Sequence, residues 1–355
     1  LTKKNDISQE NSNLVKKKYK FGHKVKQLRV IDNDTFVCAL EGGKLIVTQK
    51  DKLFWEVDFE GEIHTVEMIY PENFLVIGHG NCHLTAVDGN GKTLWHTQTT
   101  RIPTLFASWE LPYPKIVSIR YAKENDETII IAGCGDNQIR TYNPKGELLN
   151  AFYIYATVPD AVEIADIDGD GKKEVIAAGK TESSSGTFYV HDFNGDPKRN
   201  IAVSGWLCNI RSHELRENDD EFILTTGMNY SVNFKIISIK AGLPQTIAEK
   251  RLGGTVNSVC INPDHSAVYA GTSKGSVLGF DMQGNHLWHV FVKDSVKDLF
   301  VTDDLITAVC ENGKISSISK EGDLLNSGTL PDKPECCVKT QQELWIGCGN
   351  EIVVL

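Results

Sequence analysis

The stretch Gly91–His96 reads "GKTLWH", and it returns almost unchanged as "GNHLWH" at Gly284–His289, with a looser copy, "DKLFWE", at Asp51–Glu56. Recurrence at a distance makes a search for period the first step. A second phrase carries the period through the chain: a short apolar run closes on a small residue, a polar turn follows, and another alternating run begins. Its copies are "FVCALEGGKLIV", "FLVIGHGNCHLTAV", "TIIIAGCGDNQIRTY", "EVIAAGKTESSSGTFYV", "FILTTGMNYSVNFKIISI", "AVYAGTSKGSVLGF", "LITAVCENGKISSI" and "LWIGCGNEIVVL". That is eight units.

Each copy follows a further short apolar segment, starting near Val25, Ile63, Ile116, Ala161, Leu207, Val256, Val296 and Cys336, at spacings of 38 to 53 residues. Apolar residues alternate at period two almost throughout, and no long amphipathic helical stretch interrupts them. A unit of this length built from short strands predicts an all-β chain folded as a single β-propeller of about eight four-stranded blades. The tryptophans of the "LW" phrases then lie on outer strands and pack between blades.

The chain ends complement each other. The last unit supplies three strands, while "LVKKKYKF" (Leu14–Phe21) is a strand without a partner in the first. Val15, Tyr19 and Phe21 share one face, and Lys16, Lys18 and Lys20 the other. Donating this strand to the last blade closes the ring and removes an open edge. The expected organisation is a disordered tail over residues 1–13 and one propeller domain over 14–355.

Of 355 residues, 24% are charged and 41% hydrophobic, and the net charge is −10. The composition is that of a globular protein. The acidic balance argues against nucleic acid or an anionic membrane as partner. No apolar run reaches membrane-spanning length. The nine cysteines sit mostly inside apolar runs, which reads as buried thiols in a reducing compartment, and the expected location is cytoplasmic.

"VDGNGKTLWH" and "FDMQGNHLWH", each following a glycine-marked strand, resemble the repeats of PQQ-like (quinoprotein-type) β-propellers, with WD40 propellers as looser relatives. Gly-His and Trp-Asp dipeptides are not regularly placed, which favours the PQQ-like side. The resemblance implies eight blades. It also raises the alternative of a quinone-dependent oxidoreductase, for which the adjacent Cys336 and Cys337 are the natural candidates. On a strand, however, neighbours point to opposite faces. Sulfate transfer, as in propeller arylsulfotransferases, would have only His79 to offer. No nucleophile elbow, H-E-x-x-H or P-loop is present. The favoured reading is a non-catalytic scaffold that binds a protein or peptide partner within a larger assembly or polypeptide.

Two sets of site residues follow. The residue after each small-residue marker is expected to point into the face carrying the blade-to-blade connections: Leu40, His79, Cys134, Lys180, Met228, Thr272, Cys310 and Cys348. The second set lies in "DIDGDGKKE" (166–174), where alternating aspartates, a glycine and a glutamate offer hard oxygen donors on a hairpin. This hairpin resembles the calcium loops of FG-GAP (integrin-type) propeller repeats, with Glu174 where the family has aspartate. The resemblance implies a structural Ca2+ on Asp166, Asp168, Asp170, the Lys172 carbonyl and Glu174. A turn that caps its own backbone amides is the competing reading.

Overall fold

Short alternating runs joined by tight turns have one economical solution: each run pairs with the next, antiparallel, and every sheet needs neighbours to cover both faces. The computed structural model describes residues 15–32, 34–100, 114–154, 159, 161–167, 170–178, 185–204, 207–214, 221–228, 233–240, 243–302, 305–340 and 343–355. Among these, the strands form eight four-stranded antiparallel sheets, and seven of them are built from four strands consecutive in sequence. The inner strands begin at Val25, Ile63, Ile116, Ala161, Leu207, Val256, Val296 and Pro334. Seven of these starts coincide with the periodic reading. The eighth lies two residues earlier than Cys336, because a proline is tolerated at the head of a strand. The expected tail, residues 1–13, lies outside the described residues.

The eighth sheet is composite. Lys17–Lys20 pairs antiparallel with Glu351–Val354, so strands from both ends of the chain lie side by side. Tyr19 stacks on Trp345 at 5.7 Å and meets Phe36 of blade 1 edge-on at 4.8 Å. Blades 1 and 8 share one apolar cluster, including Leu28, Leu40, Trp345 and Ile352.

The second strands are buried along nearly their whole length: Val76 and Ile77, Ile130 and Ile131, and Val268 and Ala270 are all fully buried. Outer strands alternate between exposed and half-buried, as at Thr93–Gln98 and Leu324–Thr329. This gradient expresses the layering, since an outer strand has solvent beyond its free edge.

The quoted tryptophans explain how blades lock. Trp55 donates its indole N–H to the Gly89 carbonyl of the next blade (2.8 Å), Trp95 to Pro144 (2.8 Å) and Trp288 to Lys320 (2.7 Å). Each acceptor lies in the turn between third and outer strands, held by an Asp, Asn or Ser that accepts two backbone amides; Asp88, for example, takes those of Asn90 and Lys92 at 2.9 Å each. The turn must be flat and left-handed to receive the ring. Gly91, Gly146 and Gly322 all have φ of 80° to 92°, and a Cβ there would fall 2.5 to 2.8 Å from indole atoms. Phe152 covers Gly195 in the same way.

Candidate functional site

The residues expected to point into the connection face do not reach it. Leu40, His79, Cys134, Thr272, Cys310 and Cys348 are all buried, none more than 4% exposed. The pleat persists to the last residue of the second strand, so Leu40, Cys134, Cys310 and Cys348 turn toward the preceding blade and join its apolar cluster. Lys180 lies outside the described residues, as does the side chain of Met228.

The surface at this end is instead set by bulges. In seven blades the register between inner and second strands shifts at the second residue of the inner strand, as between Val25 and Gln27, Ile63 and Thr65, and Ile116 and Ser118. A bulge inserts an unpaired residue and re-aims its side chain. The bulged residues with described side chains are Lys26, His64, Val117, Asn257, Lys297 and Glu335. Several join neighbouring blades. Asn257 donates to the Val296 carbonyl at 2.9 Å, Lys297 to the Glu335 carbonyl at 3.1 Å, and Lys26 faces Glu335 at 3.8 Å. Farther along the inner strands Glu67 is shared by Arg29 (3.2 Å) and Arg120 (3.7 Å), which spans blades 1 to 3.

At blades 1 to 3 this rim opens into two adjoining depressions. One, of about 440 Å³, is lined by Glu60, Glu62, His64, Asn81, His83 and Lys115 among others. The other, of about 480 Å³, includes Lys26, Gln27, Glu41 and Val117 and shares Glu62, His64 and Lys115 with the first. The floor of the first is a close crossing of two backbones. The connector 59–62 leads from blade 1 into the inner strand Ile63–Ile69 of blade 2. It meets the hairpin joining that blade's second strand Phe74–His79 to its third, His83–Val87. A Cβ on Gly61 (φ +75°) would fall 2.9 Å from the Gly80 Cα.

Histidines fasten this crossing. His64 Nε2 donates to the Gly80 carbonyl (2.7 Å), and His79 Nδ1 donates to the Glu60 carbonyl (3.1 Å). His79 and His83 face each other in register, with rings stacked at 5.3 Å, and His96 stacks on His83 at 5.1 Å and lies 6.1 Å from His79, so the three rings form a triangle. Burial holds the His79 pKa below the ordinary imidazole value, and His83, His96 and His64 lower it further against the Glu60 hydrogen bond. Burial also lowers His64, with Lys115 adding repulsion. At neutral pH the rim therefore presents an uncharged His64 imidazole between carboxylates and Lys115. It can hydrogen-bond a polar or charged group in either sense. Position in the repeat singles out His79 but not His64, His83 or His96. The sequence signal was "HGNCH" (79–83), where a tight hairpin sets two histidines directly opposite each other.

Of the hairpin 166–174, Asp168 lies outside the described residues. Asp166 accepts the Gly171 amide (2.8 Å), Asp170 the Lys172 amide (2.8 Å) and buried Glu174 the Ile167 amide (2.9 Å). The carboxylates thus cap backbone amides, and Gly171 supplies the left-handed turn at φ +84°. Their oxygens are of the hard type that suits Ca2+. Among the described residues no three metal-ligating side chains converge on one point. Cys336 and Cys337 point to opposite faces, one toward blade 1 and the other toward blade 7. Burial pushes the Cys336 thiol up to about 12.

No protein-family model matches the chain, and no curated protein matches it. Solved structures do. Saccharomyces cerevisiae Sqt1 aligns with a TM-score of 0.74 at 14% identity, over 95% of this chain and 97% of its own. BamB from Moraxella catarrhalis gives 0.70 at 12% identity, over 96% and 98%. Chaetomium thermophilum Sqt1, solved bound to the N-terminus of the ribosomal protein L10, gives 0.70 at 15% identity, over 94% and 96%. The likeness establishes the β-propeller fold.

Proposed function

We propose that this chain is a non-catalytic propeller platform that binds a protein or peptide segment at the rim of blades 1 to 3. The observation that carries the reading is the pair of adjoining depressions sharing Glu62, His64 and Lys115. Their lining offers donors and acceptors from three blades on a backbone fixed by inter-blade hydrogen bonds, the arrangement recognition requires. A similar propeller that holds the N-terminus of another protein supports the class of partner. The location proposed is the cytoplasm, which the unpaired state of the eight described cysteines supports. Ca2+ on the 166–174 hairpin is proposed as a structural ion that needs Asp168 to complete its ligands.

The test is selection of a displayed random peptide library on the intact chain, with a propeller lacking this rim as counter-selection. Enriched peptides should lose binding to the combined Glu62→Lys and Lys115→Glu variant and keep it on Leu148→Lys, an exposed outer-strand change. A library that yields no peptide specific to this chain, or peptides indifferent to the rim variant, overturns the reading.

A further inference from the structure

We propose that His79, Thr85 and His96, with His83 packed against both rings, form a proton-operated latch that holds the blade 2 hairpin against its connector and releases it in mild acid. The proposal concerns regulation of the rim assigned above and rests on that reading only for its consequence. Its test needs no partner.

Hydrogen-bond direction follows from the acceptors. The Glu60 carbonyl can only accept, so His79 carries its proton on Nδ1. Neutral His79 then offers a lone pair at Nε2, which the Thr85 hydroxyl meets at 2.9 Å as donor. A hydroxyl has one proton, so Thr85 Oγ1 must accept from His96 Nδ1 at 2.8 Å. The neutral cluster is therefore a polarised chain with every bond made.

One added proton is accommodated. On His96 it changes no bond in the chain. On His79 it reverses the Thr85 hydroxyl, which then donates to His96 Nδ1 once that ring has moved its own proton to Nε2. A second proton is not accommodated. Both rings would aim N–H groups at Thr85, whose own buried hydroxyl would lose its acceptor. Two imidazolium rings would lie 6.1 Å apart, with the His83 ring against both. His83 cannot relieve this, because its Nδ1 is buried and has no partner.

The groups facing the stack add little support for charge. Phe59 covers His79 at 4.7 Å. His64 from the inner strand, Cys82 from the hairpin, Gln98 from the outer strand and Lys115 from blade 3 line the adjoining pocket. The carboxylates of Glu60 and Glu62 line it too but are solvent-exposed. Among the described residues none of these carboxylates is hydrogen-bonded to a ring of the stack.

The sign follows from linkage. The folded-state pKa of His79 lies below the unfolded value of about 6.5, so the unfolded or opened state takes up the proton first. The stabilisation is complete above that value and is lost as pH falls toward the folded one. The hairpin 80–82 then parts from the connector 59–62, and the pocket loses its floor.

Hydrogen–deuterium exchange at about pH 7.5 and about pH 5.5, corrected for intrinsic rates, reads this directly. Protection over 74–87 and 93–98 should fall by about tenfold or more in acid, while the matching blade 6 segments 267–281 and 286–291 change little. His83→Phe with His96→Gln should abolish the difference. Should that variant not fold, imidazole NMR of the wild type decides: the rings of the stack should titrate in separated steps. Equal responses in blades 2 and 6, a full response in the double variant, or one shared titration near 6.5 would each overturn the latch.

Discussion

Two glycines separate the inter-blade lock from the backbone conformation it requires. Gly42 (φ +89°) has nothing within 4 Å of the place a Cβ would occupy, whereas at Gly322 (φ +92°) that place lies 2.5 Å from Trp288 Cγ. Gly42→Ala and Gly322→Ala therefore share the cost of a left-handed alanine, about 1–2 kcal/mol. They also share the same loss of unfolded-state freedom. Only Gly322→Ala must displace the indole. That adds overpacking of about 1–3 kcal/mol and strain on the Trp288–Lys320 hydrogen bond, about 0.5–1.5 kcal/mol. The expected difference between the variants is about 1.5–4.5 kcal/mol. Urea unfolding followed by circular dichroism measures it, with midpoints compared at equal slope. If the two variants agree within about 0.5 kcal/mol, the tryptophan lock does not hold the blades.

Other expectations follow from particular contacts. Arg140 and Asp136 form a buried bidentate pair at 2.6 and 2.8 Å, so Arg140→Met should cost about 3–5 kcal/mol in the same assay. Adding Asp136→Leu should recover most of that loss; a double variant no better than the single contradicts the assignment. Removing residues 1–22 strips the edge partner of Glu351–Val354 and the Tyr19–Trp345 stack, so melting temperature and solubility should both fall. An unchanged melting curve refutes that role. Calorimetry should give a Ca2+ binding heat on the wild type that is lost in Asp168→Ala with Asp170→Ala, and no heat on the wild type reduces the hairpin to a capped turn.

The fold was legible because propeller blades repeat in sequence as well as in space. The phrase around Trp95 and Trp288 fixed both the period and the packing of the outer strands. The rim was less legible. Alternation places Leu40 or Cys310 on a face, but it does not say that the face belongs to the preceding blade. Nor does it reveal the bulges that re-aim Lys26 and His64, since a bulge is one extra residue in an otherwise regular pattern. His79 and His83 could have been paired from their hairpin. Their meeting with Glu60 and His96 depends on a connector and an outer strand that only the folded blade brings together.

The measurement that bears most directly on the proposed function is the exchange footprint of a library-selected peptide on the intact chain. At saturation the account predicts protection at 41–43, 60–64, 80–83 and 115–117, with the outer strands Lys52–Asp58 and Leu324–Thr329 unchanged. Protection confined to the outer strands, or to hairpins at the other end of the blades such as 70–73, would contradict it.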